Sequence, residues 1–186
     1  MKRLLFLFVA VIVFSALNLM SGAAQTDNQS KDARAAVNKF FLLLKSRSYP
    51  ALYEFLPSDL QRIITREQLA ISLMRLDTFI TIERLEIGRV QGRGDFAVVD
   101  TTIYGKLKKP VTINGDEVSE GRVAAQQFLF REGGLWKVAT ADNRTQTFFL
   151  KRNADFSKQF QITQPRFEFK QNDRWMALGR PPKPPR

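Results

Sequence analysis

The sequence predicts an α+β domain in which N-terminal helices pack on a curved antiparallel sheet of about four strands, with a β-hairpin appendage at the C-terminus. Three observations carry that expectation. Apolar residues recur at helical spacing as far as residue 78, and from Phe79 the period shortens to two while the composition turns β-branched and aromatic. The strand-like runs are joined by short Gly- and Asn-containing turns, which makes neighbours antiparallel. A sheet that is apolar on one face needs a cover, and the preceding helices supply it.

The first segment stands apart from that domain. Lys2-Arg3 precede an apolar run from Leu4 to Leu17, and Ser21-Gly22-Ala23-Ala24 then leads into a polar stretch. A charged, an apolar and a small-residue region in that order mark a signal peptide, placed at residues 1–24. The alternative is an uncleaved N-terminal anchor, because Leu4 to Met20 gives 17 residues, the short edge of what crosses a bilayer. Either way the remainder is expected outside the cytoplasm, periplasmic or secreted, with no further span after cleavage.

The α+β domain is placed at residues 25–150. Ser30 reads as an N-cap with Asp32 in the first turn, and Ala36, Val37, Phe40, Phe41 and Leu44 fall on one helical face. Pro50 opens a short second helix bearing Leu52, Phe55 and Leu56, which Pro57-Ser58 breaks. Leu60, Ile63 and Ile64 form one more apolar turn. Thr65 with Gln68 three residues later is a capping box opening the helix REQLAISLMRL.

Among the strands, Ile80 and Ile82 alternate but Leu85 and Ile87 continue in the opposite phase, which predicts a bulge near Glu83-Arg84. Gly92-Arg93-Gly94-Asp95 turns into the strand FAVVDTTIYGKL, Asn114-Gly115 is a hairpin signal, and EGRVAAQQFLFR leads through Glu132-Gly133-Gly134 to LWKVAT. Phe128-x-Phe130-Arg131 followed by Trp136 recurs 39 residues later as Phe167-x-Phe169-Lys170 followed by Trp175. Two copies are too few for a solenoid, so they read as two similar hairpins. The first belongs to the sheet, the second to a helix-and-hairpin appendage at residues 151–178. Residues 179–186 form a proline-rich basic tail, expected to be extended.

The chain has 186 residues, 29 Lys and Arg against 18 Asp and Glu, net charge +11, and neither cysteine nor histidine. Disulfides, thiolate nucleophiles, Cys/His metal sites and Ser-His-Asp triads are therefore excluded. No phosphate loop, EF-hand or nucleophile elbow is present, and neither a metal nor a cofactor is expected. The charge is uneven: residues 142–186 carry 10 basic and 4 acidic side chains, residues 25–141 carry 17 and 14.

The helices-then-sheet order, with Phe40-Phe41, Leu44, Tyr49, Ala51, Tyr53, Leu56-Pro57-Ser58, Leu60 and Leu69 at these spacings, resembles the nuclear transport factor two-like superfamily. More closely it resembles that superfamily's small extracytoplasmic members. The resemblance covers residues 30 to 150 and implies a cone-shaped, cystatin-like fold with a pocket between helices and sheet. It also implies pairing through the sheet into a homodimer. Candidate pocket residues are Phe40, Tyr53, Phe96 and Trp136. Enzymes of the superfamily use an Asp base with Tyr, Asp or His partners, but no local motif carries those roles onto this chain.

From the residues themselves, Asp100 and Tyr104 lie four apart on a strand and share a face with Phe96, Val98 and Thr102. A desolvated carboxylate beside a tyrosine hydroxyl suits acid–base chemistry. The other phase buries Ala97, Val99, Thr101 and Ile103 and leaves Asp100 in solvent. Asp77, at the helix-to-strand junction, reads first as a turn or solvated helix-end residue, with a catalytic role as the alternative.

Three functional expectations follow. The first is an exported, non-enzymatic binding or accessory module holding a small apolar ligand. The second is a cofactor-independent acid–base enzyme of isomerase, cyclase or hydratase type using a pocket Asp and Tyr. The third is an envelope-surface protein that meets an anionic component through Arg180, Lys183 and Arg186. Nucleic acid is not an expected partner, because the basic residues are not interleaved with aromatics.

Overall fold

The computed structural model describes residues 28–113, 115–140 and 143–177. The N-terminal segment read as a signal or anchor, Asn114, and the tail with Arg180, Lys183 and Arg186 lie outside the described residues. Among the described residues no helix is long and apolar enough to cross a membrane.

Four helices precede the sheet. Helix α1 spans residues 28–45, so Ser30 lies within it and not at its cap. It buries Ala33, Val37 and Phe41, one per turn, and its carboxyl end closes with Ser48 N–H donating to Leu43 O and Arg47 N–H to Leu44 O. That is the Schellman pattern, which puts Arg47 in the left-handed region (φ 59°), where glycine is usual. Helices α2 (Tyr49–Tyr53) and α3 (Ser58–Gln61) are single turns that bury Tyr49, Leu52 and Leu60, and Pro50 sits in the first turn of α2. Helix α4 (Arg66–Phe79) begins with the predicted capping box: Gln68 N–H donates to Thr65 Oγ1, and Thr65 N–H to Gln68 Oε1. Leu69, Leu73 and Leu76 share one of its faces.

The strands are β1 (Ile80–Arg93), β2 (Phe96–Ile113), β3 (Asp116–Glu132), β4 (Leu135–Val138), β5 (Arg166–Gln171) and β6 (Arg174–Ala177). All pairings are antiparallel, in the order β1-β2-β3-β5-β6, and β4 also pairs with β3. The sheet therefore has six strands, not about four. The extra pair is the C-terminal hairpin expected as an appendage. Residues 121–124 of β3 pair with β5 and residues 129–132 with β4, so one edge of β3 carries both hairpins in succession. The two copies of the repeat take the same form. Arg131 pairs with Trp136 across a Gly133-Gly134 turn, and Lys170 pairs with Trp175 across Asn172-Asp173, all four turn residues at positive φ. Two-residue turns of that kind match the twist of the strands they join.

The register of β1 on β2 slips between Ile82 and Arg84, the bulge its phase change predicts, and again between Ile87 and Val90. The bulged outer edge of β1 is held by α1: Lys45 Nζ donates to Glu83 O at 2.8 Å, and Arg34 donates to Ile87 O and Gly88 O at 2.9 and 2.7 Å. Side chains that occupy edge carbonyls keep another strand from adding there.

Beyond β4, α5 (Asn143–Arg152) and α6 (Ala154–Gln159) return across the sheet. Their Phe149 and Phe156, with Phe160 just after α6, pack with Val98 and Phe128, and the cluster continues into Leu52, Leu56, Leu60 and Leu69 of the helical layer. On the other face Ala97, Val99 and Leu129 pack with Ala33 and Val37 of α1, together with Trp136 and Val138 of β4. Both faces of the central strands are thus covered.

Candidate functional site

Where α1 and α4 cross the sheet they border a partly open cavity of about 370 Å³. Phe40, Phe41 and Leu44 of α1 and Leu69, Leu73 and Leu76 of α4 form one wall, and Thr101 and Ile103 of β2 with Val123 and Ala125 of β3 form the opposite one. The registers explain the shared direction: Thr101 pairs with Ala125 and Ile103 with Val123, and paired residues point to one side of a sheet. These side chains are small or β-branched, so they do not reach the leucines across the gap. None of the described lining residues is charged.

The wall's polar groups are largely engaged with each other. Thr140 Oγ1 donates to Gln127 Oε1 at 2.7 Å, Gln127 Nε2 donates to Thr101 Oγ1 at 3.2 Å, and Thr101 Oγ1 donates to Ala125 O at 2.9 Å. Gln126, buried at the cavity's far side, donates to Asp100 and Gln161 O and accepts from Thr163 N–H. Partnered polar atoms behave as part of a non-polar surface, so the space favours apolar guests.

A second, smaller space of about 60 Å³ adjoins the first. The two share the side chains of Leu44, Leu73, Leu76, Ile80 and Ile82, and the smaller adds Lys45, Arg47, Tyr49, Asp77 and Thr81. Arg47 reaches Asp77 at 2.9 Å, and Lys108 approaches the same carboxylate at 3.7 Å. Burial, and secondarily the Asp77 charge, push the Tyr49 hydroxyl above the usual tyrosine range, while Arg47 pulls the other way. Tyr49 is therefore a neutral hydroxyl at neutral pH.

Of the sequence candidates, Phe40 lines the large cavity and Asp77 the small one. Asp100 and Tyr104 do lie on one face of β2, with Phe96 and Val98, but that face points away from the cavity. Asp100 borders a separate groove of about 640 Å³ with Glu86, Arg89 and Arg166. Its side chain is 36% exposed and lies 3.5 Å from Arg89. Tyr104 donates to Glu86 Oε2 at 2.8 Å, with the Arg84 guanidinium 3.8 Å above its ring and Trp175 edge-on at 5.7 Å. Tyr53 donates to Gln61 O within the helical layer, Phe96 packs tilted against Phe130 and edge-on to Phe156, and Trp136 is buried beneath α1. The structure thus brings none of Tyr53, Phe96 and Trp136 to the cavity wall. Among the described residues no group of three or more acidic side chains is gathered so as to hold a metal ion.

Apart from Phe40, sequence reasoning did not single out the residues that make the cavity. Leu69, Leu73 and Leu76 carried a signal, their helical spacing; Val123 and Ala125 carried a weaker one, small residues where a strand predicts bulk. Compared with models of known protein families and with characterised proteins, the sequence matches none. What fold and site define is a class: an α+β domain with an uncharged cavity between its helices and an antiparallel sheet.

Proposed function

We propose that this chain is an exported, non-enzymatic binding module of nuclear transport factor two-like, cone-shaped architecture that holds a small apolar ligand between α1, α4 and the sheet. One observation carries the reading. The cavity is roomy, its described walls are uncharged, and its polar wall groups are largely paired with one another, a setting for dispersion and desolvation and not for proton transfer. At the ~30 Å³ that a water molecule occupies, the space takes on the order of a dozen non-hydrogen atoms. Export is supported by the order of charged, apolar and small residues at the N-terminus. The acid–base alternative needs a carboxylate and a tyrosine in that enclosure, whereas Asp100 has a cationic neighbour outside it and the Tyr104 hydroxyl donates its hydrogen bond to Glu86.

The test is titration with a neutral fluorescent probe, N-phenyl-1-naphthylamine, against the wild type and Ala125→Trp, whose indole would fill the space. Saturable binding of one probe per chain, weakened about tenfold or more by Ala125→Trp and unchanged by Asp100→Asn, is the expected result. Equal binding by wild type and Ala125→Trp contradicts it.

A further inference from the structure

Resting on that reading of the cavity, we infer that the ligand is a single-chain amphiphile with an anionic head group: its hydrocarbon chain occupies the large cavity and its head group the smaller space beside it. The two spaces meet at Leu44, Leu73, Leu76, Ile80 and Ile82, so a chain that fills one ends at the other. Their chemistry differs sharply across that boundary. The described walls of the large cavity are uncharged, so a charge carried into it would lose its hydration with no ion to replace it. The small space has Lys45, Arg47, Tyr49 and Asp77 in its wall.

The charges around the small space do not cancel. The charged residues that line it are two cations, Lys45 and Arg47, and one carboxylate, Asp77. Asp77 is shared by Arg47 and Lys108, and Glu83 pairs with Lys106 at 3.4 Å. Lys45 spends one proton on a backbone carbonyl, Glu83 O, and an ammonium keeps two more. One positive charge in excess lines a pocket wide enough for a carboxylate or phosphate. The position of Arg47 points the same way. A Schellman turn favours glycine at φ 59°, yet an arginine stands there, and its side chain is directed into this space. The apolar rim completes the path: Leu76 and Phe167 line the cavity while 44% and 54% exposed, a surface on which a chain can enter.

The experiment compares four probes of one chain length below their micelle-forming concentrations: dodecanoate, dodecyl phosphate, 1-dodecanol and dodecylammonium. Each displaces the fluorescent probe from wild-type protein and from the Lys45→Gln/Arg47→Asn double variant, asparagine being chosen because it tolerates positive φ. The anions should bind about tenfold more tightly than the alcohol, and dodecylammonium more weakly still. The double variant should bind 1-dodecanol as the wild type does, which also reports its folding, and should lose the preference for anions. The ratio of dodecanoate to dodecyl phosphate separates a fatty-acid-like head from a phosphate one. Equal binding of anion and alcohol, or a preference that survives the double variant, overturns the head-group assignment and leaves the cavity standing. Failure of all four probes to bind overturns both readings.

Discussion

The two faces of strands β2 and β3 differ in how they are covered. On one, Phe156 sits among Phe96, Phe128, Phe149 and Phe160 with ring centroids 4.8 to 5.5 Å away. On the other, Thr101, Ile103, Val123 and Ala125 look across about 370 Å³ at α1 and α4. Neighbouring residues of one strand thus serve opposite ends: Val98 is sealed while Thr101 and Ile103 frame a space. The lesson concerns side-chain size. Aromatic rings fill one interface and stabilise the fold, and small residues leave the other able to take a guest.

Truncations should expose this contrast most strongly. Phe156→Ala removes a fully buried ring from the filled face and should cost about 3–5 kcal/mol, read as a lower urea midpoint. Leu73→Ala, half-buried at the cavity, should cost only about 1 kcal/mol while weakening probe binding. Comparable losses at both sites would mean that the two faces are packed alike.

Gly105 tests how the open face is kept in shape. A methyl there would lie 2.7 Å from Ile80 Cδ1 and 2.9 Å from Thr81 O, so Gly105→Ala must displace backbone at the boundary between the two spaces. It should cost about 1–3 kcal/mol and lower probe affinity as well, measured by thermal unfolding and titration.

Thr65→Ala removes one half of the capping box on α4, the helix that roofs the cavity, and should cost about 1 kcal/mol in a urea titration. The smallest effect concerns Glu67 in the same first turn. Its own backbone N–H, and then the Thr65 side chain, hold its carboxyl below the ordinary carboxylate range. A carboxyl whose folded pKa is depressed adds stability above its unfolded pKa and loses it as pH falls through the folded value. Glu67→Gln should therefore lower stability slightly at neutral pH and not at all in strong acid. A difference that persisted in acid would rule out the charge as its cause.

The parts of this architecture that are local were legible in the sequence. Thr65 and Gln68 announce their cap because both partners lie within one turn. The phase change between Ile82 and Leu85 announces the bulge because strand alternation is strict, and the Trp136 and Trp175 repeats announce two hairpins. Non-local features were not legible. Phe167 and Phe169 alternate as any strand would, and nothing in that alternation says that β5 joins β3 at Gly121 to Ala124. The site was legible only at Phe40 and Asp77. Alternation showed that Asp100 and Thr101 face opposite ways but not which helices cover each side, and Arg47 was hidden because turn chemistry assigns its conformation to glycine.

The central claim is that the space lies on the Thr101 side of the sheet and admits an apolar chain. Intermolecular contacts between 1-dodecanol and methyl-labelled protein, measured by nuclear Overhauser spectroscopy, test it directly. Cross-peaks to Leu73, Ile103 and Val123 with none to Val98 are the predicted result. Contacts to Val98, or binding that leaves all four silent, would contradict it.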